Sequence, residues 1–568
     1  MKYHVDIVSE PFNFRNGLIS PKTAIITFFD VHGNQTQIKR YGFFDLDTQP
    51  MLKSTATFPL MDQYFKDFSV VKYRDHLAWD DFKTIHNFNA EKCFFDGDSD
   101  FSDVTFGKGG FSLAHSIFGN GQVNFQNTLF LPDVVHLSGI NFGTGEKLFT
   151  SARFLGKTIN FFSTNFGDGN VNFKCSNFIN ANLNFSGAIF GAGDVDFDFS
   201  TFGSGGVDFS GVSFGKGQVS FRNAQFNHGD ALFFGSSFGE GKFTCSDAIF
   251  GDGNVDFSFC KFEKCIIHFK YATLGLGKFN MSNIDLEDGY ILFKAVEFKG
   301  KVINFTQSKI ERLMFINGFF TEHVNLSLQS CKELVVENCI IEKTFDLLAS
   351  SKRTVSIECL NLLNTKNLGQ IYVDWNMNNV EQMIYNQGKQ TNYIDKANQF
   401  RLLKENFHNI GHYNDEDDAY VEFKRCLSKS ELSGEDLLYK KHKKLTKIGR
   451  ALAYPMKWFV LDFIGNYATN PFRILWTMLV TVLLFTFIYT LPFVTLQGGT
   501  EYAMSIESPF LRLFVNALYH SIETIFTIGY GDVSPGNIIA MILSGLEGFS
   551  GLFLMSYFTV AFVRKILR

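Results

Sequence analysis

Hydrophobic residues recur with a fixed period through the middle of the chain. From Phe94 to Phe262 a phenylalanine occupies every twelfth position without a gap. From Phe149 to Phe233 a second phenylalanine lies five residues before each of these, and valine often lies two residues before that. The consensus is V-x-F-x-x-s-x-F-G-x-G-x, where s is a small residue. A repeat of this regularity predicts a solenoid.

The spacing within the repeat indicates the geometry of each coil. In V-x-F, both apolar side chains lie on one face of an extended segment. The five-residue step between phenylalanines, with a small residue two positions before each, resembles the pentapeptide-repeat β-helices. We therefore interpret residues 91–375 as a right-handed β-helix, or β-solenoid, with a 12-residue repeat and two repeats in each coil. A flat coil made of a single repeat is the alternative interpretation.

The segments on either side of the regular repeat have other patterns. The period slips after Ile310, and strand-like stretches to about Trp375 are interpreted as degenerate coils. Residues 1–90 combine strand and turn signals and are interpreted as an N-terminal cap. Residues 376–470 are predicted to form a helical hairpin, then a basic linker, then a helix at the membrane interface, because aromatic residues follow the basic run.

Residues 471–568 contain two long apolar stretches, about 474–496 and 538–563. At 1.5 Å per residue each is long enough to cross a hydrocarbon core of about 30 Å. Between them, Pro509 lies at a plausible first helical turn of a short amphipathic stretch. We therefore predict an α-helical transmembrane domain with two spans and a re-entrant loop, whose pore helix and filter occupy residues 510–532.

The segment from Thr524 to Asp532 reads T-x-x-T-x-G-Y-G-D. It resembles the selectivity-filter signature of potassium channels, and the chain as a whole resembles a two-transmembrane potassium channel fused to a pentapeptide-repeat-like β-solenoid. The resemblance implies a homotetramer that conducts K⁺, with no cofactor beyond the permeant ion. The filter would comprise Thr527, Ile528, Gly529, Tyr530 and Gly531, and the backbone carbonyls of the first four would bind K⁺.

The resemblance also implies which residues support the filter. Ser521-Ile522-Glu523-Thr524 matches the S-x-E-T of bacterial two-span channels, in which the Glu carboxylate pairs with the Asp that follows the filter. Glu523, Thr524 and Asp532 are therefore expected to support the filter, although Glu523 bonded only to backbone amides is an alternative. The chain departs from the family where Tyr519 and His520 replace two tryptophans.

The second span contains candidates for gating. Gly551 falls where the family has its hinge glycine, and close packing between helices is the alternative role. The residues below it at helical spacing, which we expect to line the cavity, are Leu552, Met555, Thr559 and Val563. Glu547 is the one acid in this span; it could tune the cavity potential, brace the filter from behind, or serve only in packing. The cytoplasmic part is expected to bias this helix through the linker near Asn470 and Pro471, because no other element is expected to reach it.

Charge and cysteine usage narrow the remaining alternatives. Lys and Arg flank the two spans, whereas the connection between the spans has Arg512 as its only basic residue. The positive-inside rule then predicts a multi-pass protein of the plasma membrane with both termini cytoplasmic.

The chain does not begin with an apolar stretch, so we expect no signal peptide. The nine cysteines form no C-x-x-C pair, so we expect neither a disulfide framework nor a zinc site. Pentapeptide-repeat proteins can mimic DNA through a strongly acidic face. The net charge of this chain is only −5, which argues against that role, and we expect no nucleic-acid partner.

No catalytic constellation appears in the sequence, so an enzyme is not expected. The sequence predicts a potassium-selective channel in the lipid bilayer, gated or scaffolded by a cytoplasmic solenoid whose surface could bind a protein partner. The alternative hypothesis is a membrane-anchored binding or scaffold module with a secondary or weakly selective cation pore.

Overall fold

In the computed structural model, a long parallel β-solenoid is followed by a helical region. The residues described are 1–15, 17–43, 61–68, 84–85, 87–348, 356–388, 391–435, 447–499, 503 and 505–567. The chain divides into two units, Met1–Gln387 and Gly388–Arg568. Each unit is described by itself below.

Two sequence repeats form one coil through the regular region of the solenoid. Val171 lies beside Val195 in the next coil, and Phe178 lies beside Phe202, in parallel pairs. Each coil has four short sides, and each side stacks on its equivalent in the next coil. The prediction of two repeats per coil is thus confirmed, and the flat coil of a single repeat is wrong.

The strands fall into four stacks along the solenoid. The first stack comprises Ser99–Asp100, Val123–Asn124, Lys147–Leu148, Val171–Asn172, Val195–Asp196, Val219–Ser220, Gly241–Thr244, Lys261–Lys270, Asp285–Lys294, Lys309–Ile316, Ser330–Glu337 and Ser356–Asn361. The second comprises Thr84–Ile85, Thr105–Phe106, Leu129–Phe130, Arg153–Phe154, Asn177–Phe178, Thr201–Phe202, Gln225–Phe226, Ile249–Phe250, Thr273–Leu274, Glu297–Phe298, Phe319–Phe320, Ile340–Ile341 and Lys366–Asn367.

The third stack comprises Phe88–Asn89, Phe111–Ser112, Val134–His136, Thr158–Asn160, Asn182–Asn184, Val207–Asp208, Ala231–Leu232, Val255–Asp256, Phe279–Asn280, Val302–Asn304, His323–Asn325, Thr344–Asp346 and Gln370–Tyr372. The fourth comprises Phe94–Asp96, Ile117–Phe118, Asn165–Gly167, Ile189–Phe190, Ser213–Phe214 and Ser237–Phe238, and it merges with the first stack at Lys261–Lys270.

Columns of stacked phenylalanine rings fill the interior. Phe149, Phe173 and Phe197 are fully buried, and successive ring centroids lie 4.5 and 4.8 Å apart in parallel stacks. Burying one phenylalanine contributes roughly 1.5–3 kcal/mol, and an aromatic pair adds about 0.5–1.5 kcal/mol. The repeated phenylalanines therefore supply much of the stabilisation of a rod in which most strands are very short.

The Gly-x-Gly turns allow the coils to stack closely. A Cβ at Gly145 would collide with the backbone of Gly121 in the preceding coil. Polar turn residues satisfy the exposed amides of the next coil, since the Asn170 side chain accepts a hydrogen bond from the Asp194 amide at 2.9 Å. The glycines and the Asn or Asp residues of the turns thus serve the stacking of the backbone.

Both ends of the solenoid are covered. At the N-terminal end, Lys2–Val8, Lys22–Phe29 and Gln35–Phe43 form an antiparallel sheet that continues through Gln63–Lys66 into the first coil; Phe12–Asn13 and Ile19–Ser20 form a separate pair. At the other end, helix α1 (Val380–Tyr385) packs on the last strand of the first stack. Covering the ends prevents further strand addition at the exposed edges.

The second unit contains six helices within its described residues. They are α2 (Tyr393–Ile410), α3 (Tyr413–Ser433), α4 (Lys447–Lys457), α5 (Pro471–Tyr489), α6 (Pro509–Ile525) and α7 (Ile538–Ile566). A π-helical turn, Trp458–Phe463, follows α4, and a 3₁₀ turn, Asn466–Ala468, leads to α5. Helices α2 and α3 form the predicted hairpin, with Gly411 at φ +80° as the C-cap of α2.

Side-chain caps fix where the apolar helices begin. Asn470, Ser508 and Asn537 each accept a hydrogen bond from a backbone amide in the first turn of α5, α6 and α7. The first span is shorter than the predicted 474–496, because α5 ends at Tyr489 and Pro492 follows. The second span is longer than 538–563, because α7 continues to Ile566.

Candidate ion-conduction site

The filter motif follows directly from the C-terminal end of α6. The Phe526 amide still bonds the Ile522 carbonyl, and the Ile528 amide bonds the Glu523 carbonyl at 2.9 Å. These bonds hold the start of the motif against the end of the helix. The C-terminal end of α6 carries a partial negative charge, which favours a cation at this position.

Backbone conformation alternates along the motif. Thr527, Gly529 and Gly531 have φ values of +52°, +64° and +81°, whereas φ is negative at Ile528 and Tyr530. A backbone in which the sign of φ alternates in this way can turn successive carbonyls toward the same side of the chain. Positive φ costs little at glycine but is a genuine outlier at the β-branched Thr527. Strain of this kind, of order 1–3 kcal/mol, is typical of functional segments.

The predicted acidic support lies beside the filter motif. Glu523 is buried, with its Oε1 atom lacking a hydrogen-bond partner among the described residues of the single chain, and Asp532 is exposed. The Tyr519 side chain lies near both carboxylates. Thr524 contributes its carbonyl, which accepts a hydrogen bond from the Thr527 amide at 3.2 Å.

A short strand pair holds the outer end of the filter motif. Leu496–Gly498, just after the first span, pairs antiparallel with Val533–Pro535, just after Asp532. Gly498 has φ +88°, and a Cβ there would collide with the Asp532 carbonyl oxygen. No signal in the sequence indicated this pair, because neither segment is long enough to show strand periodicity.

Glu547 is completely buried among polar side chains from all three apolar helices. Its carboxylate accepts hydrogen bonds from Tyr489 Oη of α5 at 2.8 Å and from Ser521 Oγ of α6. Ser544, one turn earlier on α7, lies 3.2 Å from Tyr489 Oη and 2.9 Å from His520 Nε2. We call Tyr489, His520, Ser521, Ser544 and Glu547 the buried polar cluster. It places Glu547 behind the helix that leads to the filter motif.

The other candidates on α7 fall on different faces. Gly551 packs against the end of α6, where a Cβ would collide with the Ile525 carbonyl oxygen. The four candidate cavity residues are exposed in the single chain; they are Leu552, Met555, Thr559 and Val563. Leu554 and Ala561 lie on another face and pack with Ile474 and Met478 of α5. The contact at Gly551 agrees with its alternative role in close packing.

The helical hairpin contacts the end of α7 directly. Arg564 donates to Asp417 of α3 at 2.9 Å, and its guanidinium lies 4.3 Å from the centre of the Tyr420 ring. Lys565 lies 3.6 Å from the same aspartate. The expectation that only the linker near Asn470 and Pro471 reaches α7 is therefore wrong. Asp417 and Arg564 are 147 residues apart in sequence, so no local pattern could indicate their contact.

The junction before α5 is also fixed to its neighbours. Arg425 of α3 forms two hydrogen bonds with Asp462, at 2.8 and 2.9 Å. The Tyr557 hydroxyl of α7 donates to the Leu461 carbonyl at 3.0 Å and accepts from the Ala468 amide at 3.1 Å. The hairpin, this junction and α7 are thus linked by paired charges and by hydrogen bonds to the backbone.

Composition, exposure and comparison with known families agree on the nature of this unit. Helices α5 and α7 are long and apolar enough to cross a membrane, and only 28% and 22% of their most apolar windows are buried, unlike the core helices of a soluble protein. Residues 476–568 match the family described as Ion channel. No curated protein and no solved structure matched the chain. The chain is therefore a fusion of a β-solenoid with a C-terminal ion-channel domain of the two-span type.

Proposed function

We propose that the protein is a homotetrameric, potassium-selective channel whose filter is Thr527-Ile528-Gly529-Tyr530-Gly531. The observation that carries this proposal is the alternation of φ at Thr527, Gly529 and Gly531. A filter that replaces the hydration shell of K⁺ needs carbonyls that point the same way, which this alternation supplies. The carbonyls of Thr527, Ile528, Gly529 and Tyr530 would bind the ion, and no cofactor beyond the permeant ion is invoked.

The proposed tetramer follows from the need for a closed ring of carbonyls. One chain supplies one pore loop, so several copies must surround the ion. In the single chain Tyr530 is 76% exposed and the cavity residues of α7 are exposed as well. Neighbouring copies in a lipid bilayer would cover these surfaces. We place the channel in the plasma membrane with both termini cytoplasmic, as the distribution of basic residues favours.

Gating is assigned to α7 and to the cytoplasmic part of the chain. Gly551 would serve as the hinge or, through its contact with α6, as a close-packing position, and Leu552, Met555, Thr559 and Val563 would line the cavity below it. The hairpin contact with Arg564 supports a direct action of the cytoplasmic part on this helix. The solenoid would bias the gate or act as a scaffold for a protein partner.

Reversal potentials of the purified protein in liposomes test the selectivity. With K⁺ on both sides at a tenfold concentration ratio, a K⁺-selective pore reverses near about 59 mV in magnitude at the Nernst limit. With K⁺ on one side and Na⁺ on the other, the potential should shift strongly in the direction that opposes K⁺ flow. A value near zero in this second condition would indicate the weakly selective cation pore instead.

Three variants locate the pore. Gly529→Ala should abolish K⁺-selective current while tetramers persist, because alanine strains the left-handed conformation at φ +64°. Cysteine at Met555 should react with cytoplasmic thiol reagents in open channels, whereas cysteine at Phe558, which packs beside the Ile474 cluster, should not. Equal labelling at the two positions would contradict the assigned cavity face.

A further inference from the structure

The ion-channel domain holds a carboxylate and its hydrogen-bond partners at membrane depth, inside the protein rather than along the ion path. We propose that the buried polar cluster centred on Glu547 positions the filter by fixing the back of α6 and the segment after the filter to α5 and α7. This inference rests on the proposed function, because it assigns how that same filter is held.

The first step of the argument is the position of Glu547. Its side chain has no exposed surface, and a buried carboxylate in a membrane protein is costly unless strong donors surround it. Tyr489 and Ser521 each donate a hydroxyl to it, one to each carboxylate oxygen. Buried polar groups are costly to leave without a hydrogen-bond partner, so these two bonds constrain where the three helices lie. The acid therefore joins α5, α6 and α7 at one point.

The second step is the route from this point to the filter. The Ser521 hydroxyl also lies 3.1 Å from the Val482 carbonyl oxygen of α5, so its one proton is shared between this carbonyl and Glu547. This contact holds the back of α6 two residues before Glu523. A second route starts at Tyr489. Its Oη lies within hydrogen-bond distance of Ser544 Oγ, at 3.2 Å, and Ser544 Oγ lies 2.9 Å from His520 Nε2. His520 also lies close to the backbone of Val533, the residue that follows Asp532. The cluster thus contacts the chain on both flanks of the filter.

The third step is the packing of the rings inside the cluster. The His520 ring packs edge-on against Tyr489, with the ring centroids 5.0 Å apart, and both residues are buried. Aromatic packing and hydrogen bonds therefore hold α6 against α5 at the same point.

Single-channel recording of the full-length protein tests the role. Glu547→Gln keeps the shape but replaces one of the two acceptor oxygens with an amide group that donates, and Tyr489→Phe removes one hydroxyl. Each should shorten open bursts by about tenfold or more, the size expected when one buried hydrogen bond is lost and its partner is left unsatisfied. The double variant should behave like Glu547→Gln alone, because both changes break the same bond. High external K⁺ should lengthen the shortened bursts, because ions bound in the filter stabilise the same structure.

The control is Thr481→Val on α5. It removes a half-buried hydroxyl that donates to the Thr477 carbonyl at 2.7 Å, and its bursts should match those of the wild type. A purely structural role would lower the number of channels in the membrane without changing bursts, and that result overturns the proposal. Additive effects in the double variant overturn it as well. If Glu547→Gln fails to assemble, the burst length of Tyr489→Phe decides alone.

Recordings of the wild type distinguish a failure of this inference from a failure of the proposed function. If the wild type does not select K⁺, both the proposed function and the inference are wrong. A K⁺-selective wild type whose bursts are unchanged in Tyr489→Phe and Glu547→Gln removes only the inference.

Discussion

Lys147 lies inside the solenoid at a position that other coils fill with valine. Its neighbours in the stack are Val123 and Val171, and its side chain is only 1% exposed. The ammonium donates to the Gly143 carbonyl at 2.8 Å. Burial lowers the pKa of Lys147 from 10.5 to about 8, because desolvation disfavours the charged form. Lys147 therefore lowers the free energy of unfolding of the solenoid, whereas a valine at this position would not.

We expect Lys147→Val to stabilise the solenoid by about 1–3 kcal/mol near neutral pH. The unfolded chain holds the proton up to about 10.5, whereas the folded chain releases it near 8, so wild-type stability rises with pH across this window. The advantage of the variant should therefore shrink between pH 8 and 10.5. Thermal unfolding followed by β-sheet circular dichroism measures both effects.

The control for this prediction is Lys216→Val, since Lys216 is exposed on a turn and pairs with Glu240 at 3.8 Å. Its stability should stay within about 0.5 kcal/mol of the wild type. A pH-independent difference for Lys147→Val would show that the ammonium is not the source of the cost.

Gly551 shows how one missing side chain permits a helix contact next to the filter. Gly551→Ala should separate α7 from α6, because the new Cβ would collide with the Ile525 carbonyl oxygen. We expect fewer tetramers in native gels and at least a tenfold loss of current, consistent with an overpacking cost of about 1–3 kcal/mol. Gly545→Ala is the matched control, because a Cβ there has open space within its own chain.

The two roles considered for Gly551 give different outcomes. Close packing predicts the loss of tetramers described above. Normal tetramers with a shifted open probability would instead support the hinge.

At the scale of elements, the contact between α3 and α7 is centred on the largely buried ion pair of Asp417 with Arg564, and Lys565 lies beside the same aspartate. Asp417→Arg and Arg564→Asp should each shift the open–closed equilibrium in the same direction, by roughly 5-fold to 150-fold. The double variant should recover most of the wild-type open probability, because the exchanged charges can pair again. Open probability in planar bilayers is the measurement.

An exposed pair between α3 and α4 provides the control. Lys457 and Glu431 lie 2.6 Å apart on the surface, and exchanging their charges should change open probability little. A double variant of Asp417 and Arg564 that is no better than the single variants would argue against coupling through this pair.

The sequence indicated those elements whose residues recur at a constant spacing or form a dense local motif. The phenylalanine period predicted two repeats per coil because every regular coil has the same length. The period disappears later because the coils differ in length there, although Phe298, Phe320, Ile341 and Asn367 still occupy equivalent stacked positions. The filter was indicated by a run of consecutive residues, and its backbone conformation agrees with that motif.

Other features depend on residues that are far apart in the chain. Glu547 bonds Ser521 and Tyr489, which are 26 and 58 residues away. The sequence marked Glu547 as unusual but could not decide among its roles, because the partners are common residues without a motif. The contact between Arg564 and the hairpin could not be predicted for the same reason, because its partners are distant in sequence and match no motif. Such pairs become visible only when the helices are placed in space.

At the scale of the whole molecule, the contacts that form the candidate pore lie within residues 388–568. The filter, the buried polar cluster and the ion pair of Asp417 with Arg564 all belong to this unit. The solenoid unit includes α1, because the side chains of Asn386 and Gln387 bond the Glu358 and Leu360 carbonyls. A chain that begins at Gly388 therefore removes the solenoid together with its terminal helix and leaves the contacts around the pore intact.

We expect this truncated chain to form a K⁺-conducting channel with an altered open probability, because a domain that biases a two-state helix has been removed. A second truncation that begins at Gly434 also removes α2 and α3, and with them Asp417. If the hairpin acts on α7, the two truncated channels should differ in open probability in the same bilayer. If the wild type and the Gly388 truncation gate identically, the solenoid does not act on the gate and serves as a scaffold. If the two truncated channels gate identically, the hairpin does not act on α7.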